Sequence, residues 1–152
     1  MNLKQIEFDF KSEDLLIEAE TNQFEVYHDD KHGKNENWKI LKGDSLHLPR
    51  AWEEANRFCK YFGLENGVPR YYILDSDSYL MPHIDYNTTC SVNHVLSADA
   101  APVTVEGKDY LYKTALLNTS VIHGVNNKGK KERILYKISF FDEDYEAISR
   151  KV

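Results

Sequence analysis

The sequence predicts a mainly β protein, an antiparallel sandwich or jelly roll with one or two N-terminal helices packed on its outside. Three observations lead there. From Pro69 onward the chain divides into some eight short segments that read as strands, with no helix between them. The breaks carry turn chemistry: Asp75-Ser76-Asp77, Asn87-Thr88, Ala98-Asp99-Ala100, Glu106-Gly107 and Asn126-Asn127-Lys128-Gly129. Ahead of them stands one clear amphipathic helix.

In chain order, Ile6 to Phe10 alternates like a short strand. Ser12 to Ala19 opens with a capping pattern, Ser12 ahead of Leu15 and Leu16, and reads as a short helix. Phe24 to Tyr27 and Trp38 to Leu41 read as strands around a polar loop, Asp29 to Asn37. Pro49 suits a first helical position. Trp52, Ala55, Phe58, Cys59 and Phe62 then share one face, opposite Glu53, Glu54, Arg57 and Lys60, and Gly63 and Gly67 end the helix. The stripe is core packing. The later strands are expected at 70–74, 79–85, 91–96, 102–106, 109–113, 115–118, 120–125 and 133–141. We expect a single domain over 1–152: supporting elements at 1–68, a jelly-roll core at 69–142 and a tail at 143–152.

The 152 residues suit one domain with a real core, and 41% hydrophobic and 12% aromatic residues place the chain among globular proteins. The net charge of −6 and the lack of a basic stretch argue against nucleic-acid or anionic-membrane partners. Lys128 to Arg133 reads as a solvated turn. Cys59 and Cys90 make no disulfide framework and are expected to be small buried residues. No signal-like or membrane-length apolar run occurs, so a cytoplasmic location is expected, and nothing bears on oligomeric state.

Chemistry concentrates in His83-Ile84-Asp85 and His123. On a strand, residues i and i+2 share a face, so His83 and Asp85 reach inward together. Two imidazoles and a carboxylate occupy one side of an octahedral metal and leave the other side open, a donor set that suits iron(II) and other divalent ions. His-x-Asp alone is weak, since six histidines and twelve aspartates readily produce it, and His28-Asp29-Asp30 is a second copy. The His83 copy gains weight from Arg133, ten residues after His123, whose guanidinium forks onto a carboxylate. His94 should face away from Asn93, and His32 and His47 read as surface or hydrogen-bonded histidines.

Pro82-His83-Ile84-Asp85, Asn118 to Asn127 around His123, and Glu132-Arg133-Ile134-Leu135 together resemble the 2-oxoglutarate/iron(II) dioxygenase superfamily, in its compact prolyl-hydroxylase-like and aspartyl/asparaginyl β-hydroxylase-like branches. The resemblance spans roughly residues 70 to 142. It implies a double-stranded β-helix, the distorted jelly roll also found in cupins. It implies iron(II) on His83, Asp85 and His123, and the distal carboxylate of 2-oxoglutarate on Arg133. More weakly it marks Tyr72, Ser91 and Asn93 as lining the co-substrate pocket. Ser91 and Asn93 differ from the larger basic groups of the aspartyl hydroxylase-like pattern. The implied reaction uses dioxygen and 2-oxoglutarate, releases succinate and carbon dioxide, and hydroxylates an unactivated carbon of a peptide residue (proline, aspartate or asparagine) or a free amino acid. The loop from Asp29 to Asn37 is expected to act as a lid. Two alternatives stay open: a cupin-like metalloenzyme that does not use 2-oxoglutarate, and a non-catalytic β-sandwich binding module.

Overall fold

The computed structural model describes the backbone of residues 1–29 and 33–152 and the side chains of residues 1–28 and 37–152. Eleven strands form two antiparallel sheets among the described residues. The larger sheet contains β1 (Leu3–Gln5), β2 (Glu25–Asp29), β3 (Gly33–Leu41), β4 (Val68–Leu74), β6 (Cys90–Val95), β9 (Thr114–Leu117) and β11 (Arg133–Phe140), in the order β1-β9-β6-β11-β4-β3-β2. The smaller sheet contains β5 (Ser78–His83), β7 (Val103–Val105), β8 (Lys108–Tyr110) and β10 (His123–Asn127), in the order β5-β10-β7-β8. All eight expected strands after Pro69 form, within a few residues of their expected ends. The helices are α1 (Ser12–Glu20), α2 (Pro49–Phe62) and a short α3 (Tyr145–Ser149).

Alternation along β11 separates two apolar layers. Tyr136, Ile138 and Phe140 face outward and join Leu15, Ala51 and Phe58 under the helices. Leu135 faces inward with Leu74, Val95 and Leu117, opposite Val103, Val105 and Val125 of the smaller sheet. The helices thus cover the outer face of the larger sheet. The inner face is left to the space between the sheets.

Helix ends are satisfied in ways that single-helix patterns do not show. Ser12 does not cap α1: Lys11 holds the cap position and makes no side-chain cap bond. The Ser12 hydroxyl instead meets His94 Nε2 at 2.7 Å. Helix α2 begins after Leu48, whose side chain has no acceptor to offer. Its first-turn amides of Arg50 and Ala51 donate to the buried carboxylate of Glu18 on α1, at 2.8 and 2.9 Å. The Tyr71 hydroxyl donates to the same carboxylate at 2.9 Å. Glu54 of α2 reciprocates by accepting from the Lys11 amide at 2.5 Å. Glu54 therefore turns inward although periodicity assigns it to the polar face. Gly63 ends α2 with φ +68°, as expected, whereas Gly67 is a packing position whose added Cβ would lie 2.7 Å from Ile138 Cγ2.

Other expectations need correction. Ile6 to Phe10 is not a strand: β1 lies three residues earlier, pairing Leu3 with Leu117, and the chain leaves the sheet after Ile6 to reach α1. Ile6 and Phe10 are still buried, with Phe10 stacked on Phe58 at 5.5 Å. The polar segment after Tyr27 is mostly a hairpin, because β3 starts at Gly33. The middle of the expected lid, Asp30 of the second His-x-Asp copy, and His32 lie outside the described residues. The C-terminal tail holds α3, a single turn capped by Asp144, which accepts from the Ala147 amide at 2.9 Å. Cys59 and Cys90 are free thiols, partly and fully buried. No helix among the described residues is long and apolar enough to cross a membrane.

Two predictions concern stability. Glu18→Ala leaves two helix amides and a buried hydroxyl without their acceptor, and should lower unfolding free energy by about 3 kcal/mol in urea titration. His94 faces away from Asn93, as expected, with its ring between Ser12 and Thr114. Burial first, then the charge of Lys113, pushes its pKa from 6.5 down to about 4. The folded protein therefore resists a proton that the unfolded chain accepts. This contribution is complete above pH 6.5 and is lost as pH falls towards 4, about 3 kcal/mol in all. Urea midpoints in wild type should fall across that window, and His94→Gln should flatten the fall.

Candidate metal centre

His83 ends β5 and His123 begins β10, and the two face each other directly across the antiparallel pair. Next to them the register slips: two steps on β10, His123 to Val125, match three on β5, Leu80 to His83. Gly124 of β10 lies opposite this bulge. A Cβ there would lie 2.8 Å from the Leu80 carbonyl oxygen and 3.1 Å from the Pro82 nitrogen, both backbone atoms that cannot move aside alone.

Asp85 joins the histidines by a different route from the one its spacing predicts. The strand ends at His83, so pleat alternation does not orient Asp85. Its backbone amide instead donates to the Thr119 carbonyl at 2.9 Å, across the neighbouring turn. Its Oδ1 then lies 3.2 Å from His83 Nε2 and 3.5 Å from His123 Nε2. The ligand atoms of the three residues all fall within 4.8 Å of one another.

The remaining atoms of the triad are held by the protein. His83 Nδ1 lies 2.7 Å from the Met81 carbonyl, and His123 Nδ1 lies 2.8 Å from the Val121 carbonyl. A carbonyl only accepts, so Nδ1 carries the proton and each Nε2 presents a lone pair to Asp85. Asp85 Oδ2 takes Lys137 Nζ at 3.3 Å and the Thr88 hydroxyl at 3.2 Å, leaving Oδ1 for the histidines. Two imidazole lone pairs and a carboxylate oxygen thus converge on one point. The donor set of two imidazole nitrogens and a carboxylate oxygen is one that could hold a divalent cation. Burial alone would raise the Asp85 carboxyl. Lys137 and the contacts with His123 and His83 outweigh it and hold the carboxyl well below the usual carboxylate range.

The triad opens into a cleft of about 1240 Å³ between the sheets. Arg133 lines it and is only 2% exposed. Its Nε donates to the Ala101 carbonyl at 3.1 Å and an NH₂ group to the Tyr112 hydroxyl at 3.2 Å. Among the described residues no carboxylate lies within 4 Å of it. Tyr72 and Asn93 also line the cleft. Tyr72 stacks on Trp38 at 5.0 Å, with Lys137 Nζ 5.4 Å from its ring centre. Asn93 donates to the Tyr112 hydroxyl at 3.3 Å and accepts from Ser91 at 2.7 Å. Ser91 is fully buried behind Asn93 and does not line the cleft. His47 pairs with Asp44 at the surface, as a surface histidine was expected to do.

Sequence reading missed Lys137, Tyr112, Thr88 and Gly124. Lys137 was accessible, since it lies four residues after Arg133 and a strand puts both on one face. Tyr112 lies beyond the end of β8 and meets Arg133 only through the tertiary fold.

No protein-family model and no curated protein matches the sequence. Solved structures do match in shape. A Pseudomonas putida prolyl-4-hydroxylase superposes with a TM-score of 0.64 at 10% identity, over 87% of this chain and 84% of that one. An oxidoreductase of the 2OG-Fe(II) oxygenase family from Burkholderia pseudomallei gives 0.58 at 14% identity, over 84% and 77%. A predicted oxalate decarboxylase from Thermotoga maritima gives 0.52 at 12% identity, over 81% and 96%. The two antiparallel sheets and these likenesses define a double-stranded β-helix, the fold the sequence predicts.

One substitution tests the strand contact beneath the triad. Gly124→Ala forces β10 away from the β5 backbone and moves His123 off His83. Cobalt(II) affinity, measured by calorimetry, should fall at least about tenfold, with the far-ultraviolet dichroism of the fold retained.

Proposed function

We propose that the chain is a non-haem iron(II), 2-oxoglutarate-dependent oxygenase that binds iron through His83, Asp85 and His123 and the distal carboxylate of 2-oxoglutarate through Arg133. One observation carries this reading. Arg133 is a buried cation in the same cleft as the triad, satisfied only by neutral acceptors. Leaving a buried charge without a counter-ion is expensive, and a carboxylate on the remaining face of the guanidinium offsets that cost with a planar fork.

When bound, iron(II) with 2-oxoglutarate and dioxygen supplies an oxidant able to hydroxylate an unactivated carbon, with succinate and carbon dioxide released. The chain's own groups position and neutralise. His83, Asp85 and His123 would hold the metal from one side, with the cleft on the other. Met81 and Val121 carbonyls fix the imidazole tautomers, and Lys137 with Thr88 keeps Asp85 turned so that one oxygen faces the metal. Tyr112 accepts from both Arg133 and Asn93, so its own proton points to a further acceptor, the same distal carboxylate. Val103, Val125 and Leu135 form the apolar wall. The substrate is a peptide residue or a free amino acid.

A second reading is favoured by the likeness to an oxalate decarboxylase: a cupin-like metalloenzyme without 2-oxoglutarate. Anaerobic addition of iron(II) and 2-oxoglutarate separates the two. Wild type should develop the weak visible charge-transfer band, and His123→Ala should lose it. Arg133→Gln should bind iron(II) normally but require about 10- to 100-fold more 2-oxoglutarate. Metal binding without the band would transfer the case to the cupin-like enzyme, and no metal binding at all would leave a binding module.

A further inference from the structure

Arg70 is the cleft cation that neither the triad nor the co-substrate site uses. It lies on β4, directly paired with Lys137 of β11, so both side chains leave the same face of the sheet and both line the cleft. Like charges directly opposite on neighbouring strands repel, and Arg70 is close enough to work against the charge on Lys137. The sheet relieves this repulsion only in part. Asp85 is the one carboxylate among the described residues lining the cleft, and it is engaged by Lys137 and the two histidines. Arg70 is partly exposed, and among the described residues it has no hydrogen bond or ion pair.

Position separates Arg70 from the co-substrate anchor. Along the β11–β4 pair, Arg133 lies opposite Leu74, and Lys137 lies opposite Arg70. Four residues of strand, about 13 Å, separate the two levels. Arg133 therefore marks one end of the cleft. Arg70 stands at the other end, level with the Lys137 that holds the metal-ligand carboxylate. An anion on Arg133 does not neutralise Arg70, and in a chain of net charge −6 a locally cationic cleft mouth is a local feature and not a consequence of composition.

We propose that Arg70 receives the carboxylate of the primary substrate, which is therefore a small free carboxylic acid of the amino-acid class and not a neutral residue inside a peptide chain. This inference rests on the oxygenase reading above. A guanidinium fork binds a carboxylate in two parallel hydrogen bonds and rejects the corresponding neutral amide, which offers one acceptor and brings an N–H towards a donor. Fixing the carboxylate beside Lys137 holds the adjoining carbons next to the open side of the triad.

The test uses wild type, Arg70→Gln and Arg70→Lys, each loaded with zinc(II) as a redox-silent metal and with 2-oxoglutarate. The probes are the free L-amino acids and the matching L-amino acid amides, followed by saturation-transfer NMR. We expect at least one free acid to bind wild type and its amide not to bind. Arg70→Gln should weaken that acid about 10- to 100-fold, Arg70→Lys should recover part of the loss, and 2-oxoglutarate affinity should stay within about twofold throughout. The inference is overturned if amides bind as well as acids, if no free acid binds wild type, or if Arg70→Gln binds the acid unchanged. Failure of wild type to take up 2-oxoglutarate overturns the oxygenase reading and this inference together. Normal uptake without discrimination between acid and amide overturns this inference alone.

Discussion

The central strand β11 imposes the constraint on which the rest depends. Its outward residues Tyr136, Ile138 and Phe140 must be apolar to seat α1 and α2, and its inward residues Arg133, Leu135, Lys137 and Ser139 face the space between the sheets. Two cations on the inner face of a sandwich cannot be covered by the opposing sheet as an apolar layer would be. The second sheet stays short and stands off, and the interval becomes a cleft. Lys137 is compensated from within the chain by Asp85, whereas Arg133 meets only a carbonyl and a phenol. The two cations therefore differ: Lys137 has its counter-ion within the chain, and Arg133 has only neutral partners.

The candidate metal centre depends on backbone geometry as much as on residue identity. A bulge opposite Gly124 brings two strands close enough for His83 and His123 to face each other, and a turn amide bound to Thr119 brings Asp85 in. Each histidine is oriented by a carbonyl two residues earlier in its own chain. These partners are main-chain atoms, so the orientation of the two imidazoles is carried by the fold, whereas Asp85 also relies on the side chains of Lys137 and Thr88. That fits with the fold being shared at 10 to 14% identity with oxygenase structures.

Much of this was legible in the sequence, for physical reasons that can be named. Strands bounded by turn residues announce themselves locally, so the eight strands after Pro69 and the helix at 49–62 were readable. That His83, Asp85 and His123 come together and share a cleft with Arg133 was readable because few residue types suit a metal or a carboxylate. What escaped was tertiary. Glu18 caps a helix other than its own, Ile6 to Phe10 alternates without a neighbouring strand to pair with, and Tyr112 reaches Arg133 from outside any strand. Asp85 was placed correctly for an incorrect reason, since its spacing suggests a pleat and its position comes from a turn.

The same reasoning explains why the cleft carries a cation at each end. If the cleft were required only to hold a metal, His83, Asp85 and His123 with Lys137 beside Asp85 would complete it, and apolar residues at 70 and 133 would pack the sheet better. Arg133 is buried and Arg70 partly exposed, so their desolvation costs differ, the larger falling on Arg133. On the proposed oxygenase reading both anions turn over, and the enclosed end suits the one whose binding offsets the larger desolvation cost, at Arg133. A second anion at the open end would meet a more hydrated guanidinium, whose weaker contact allows faster release.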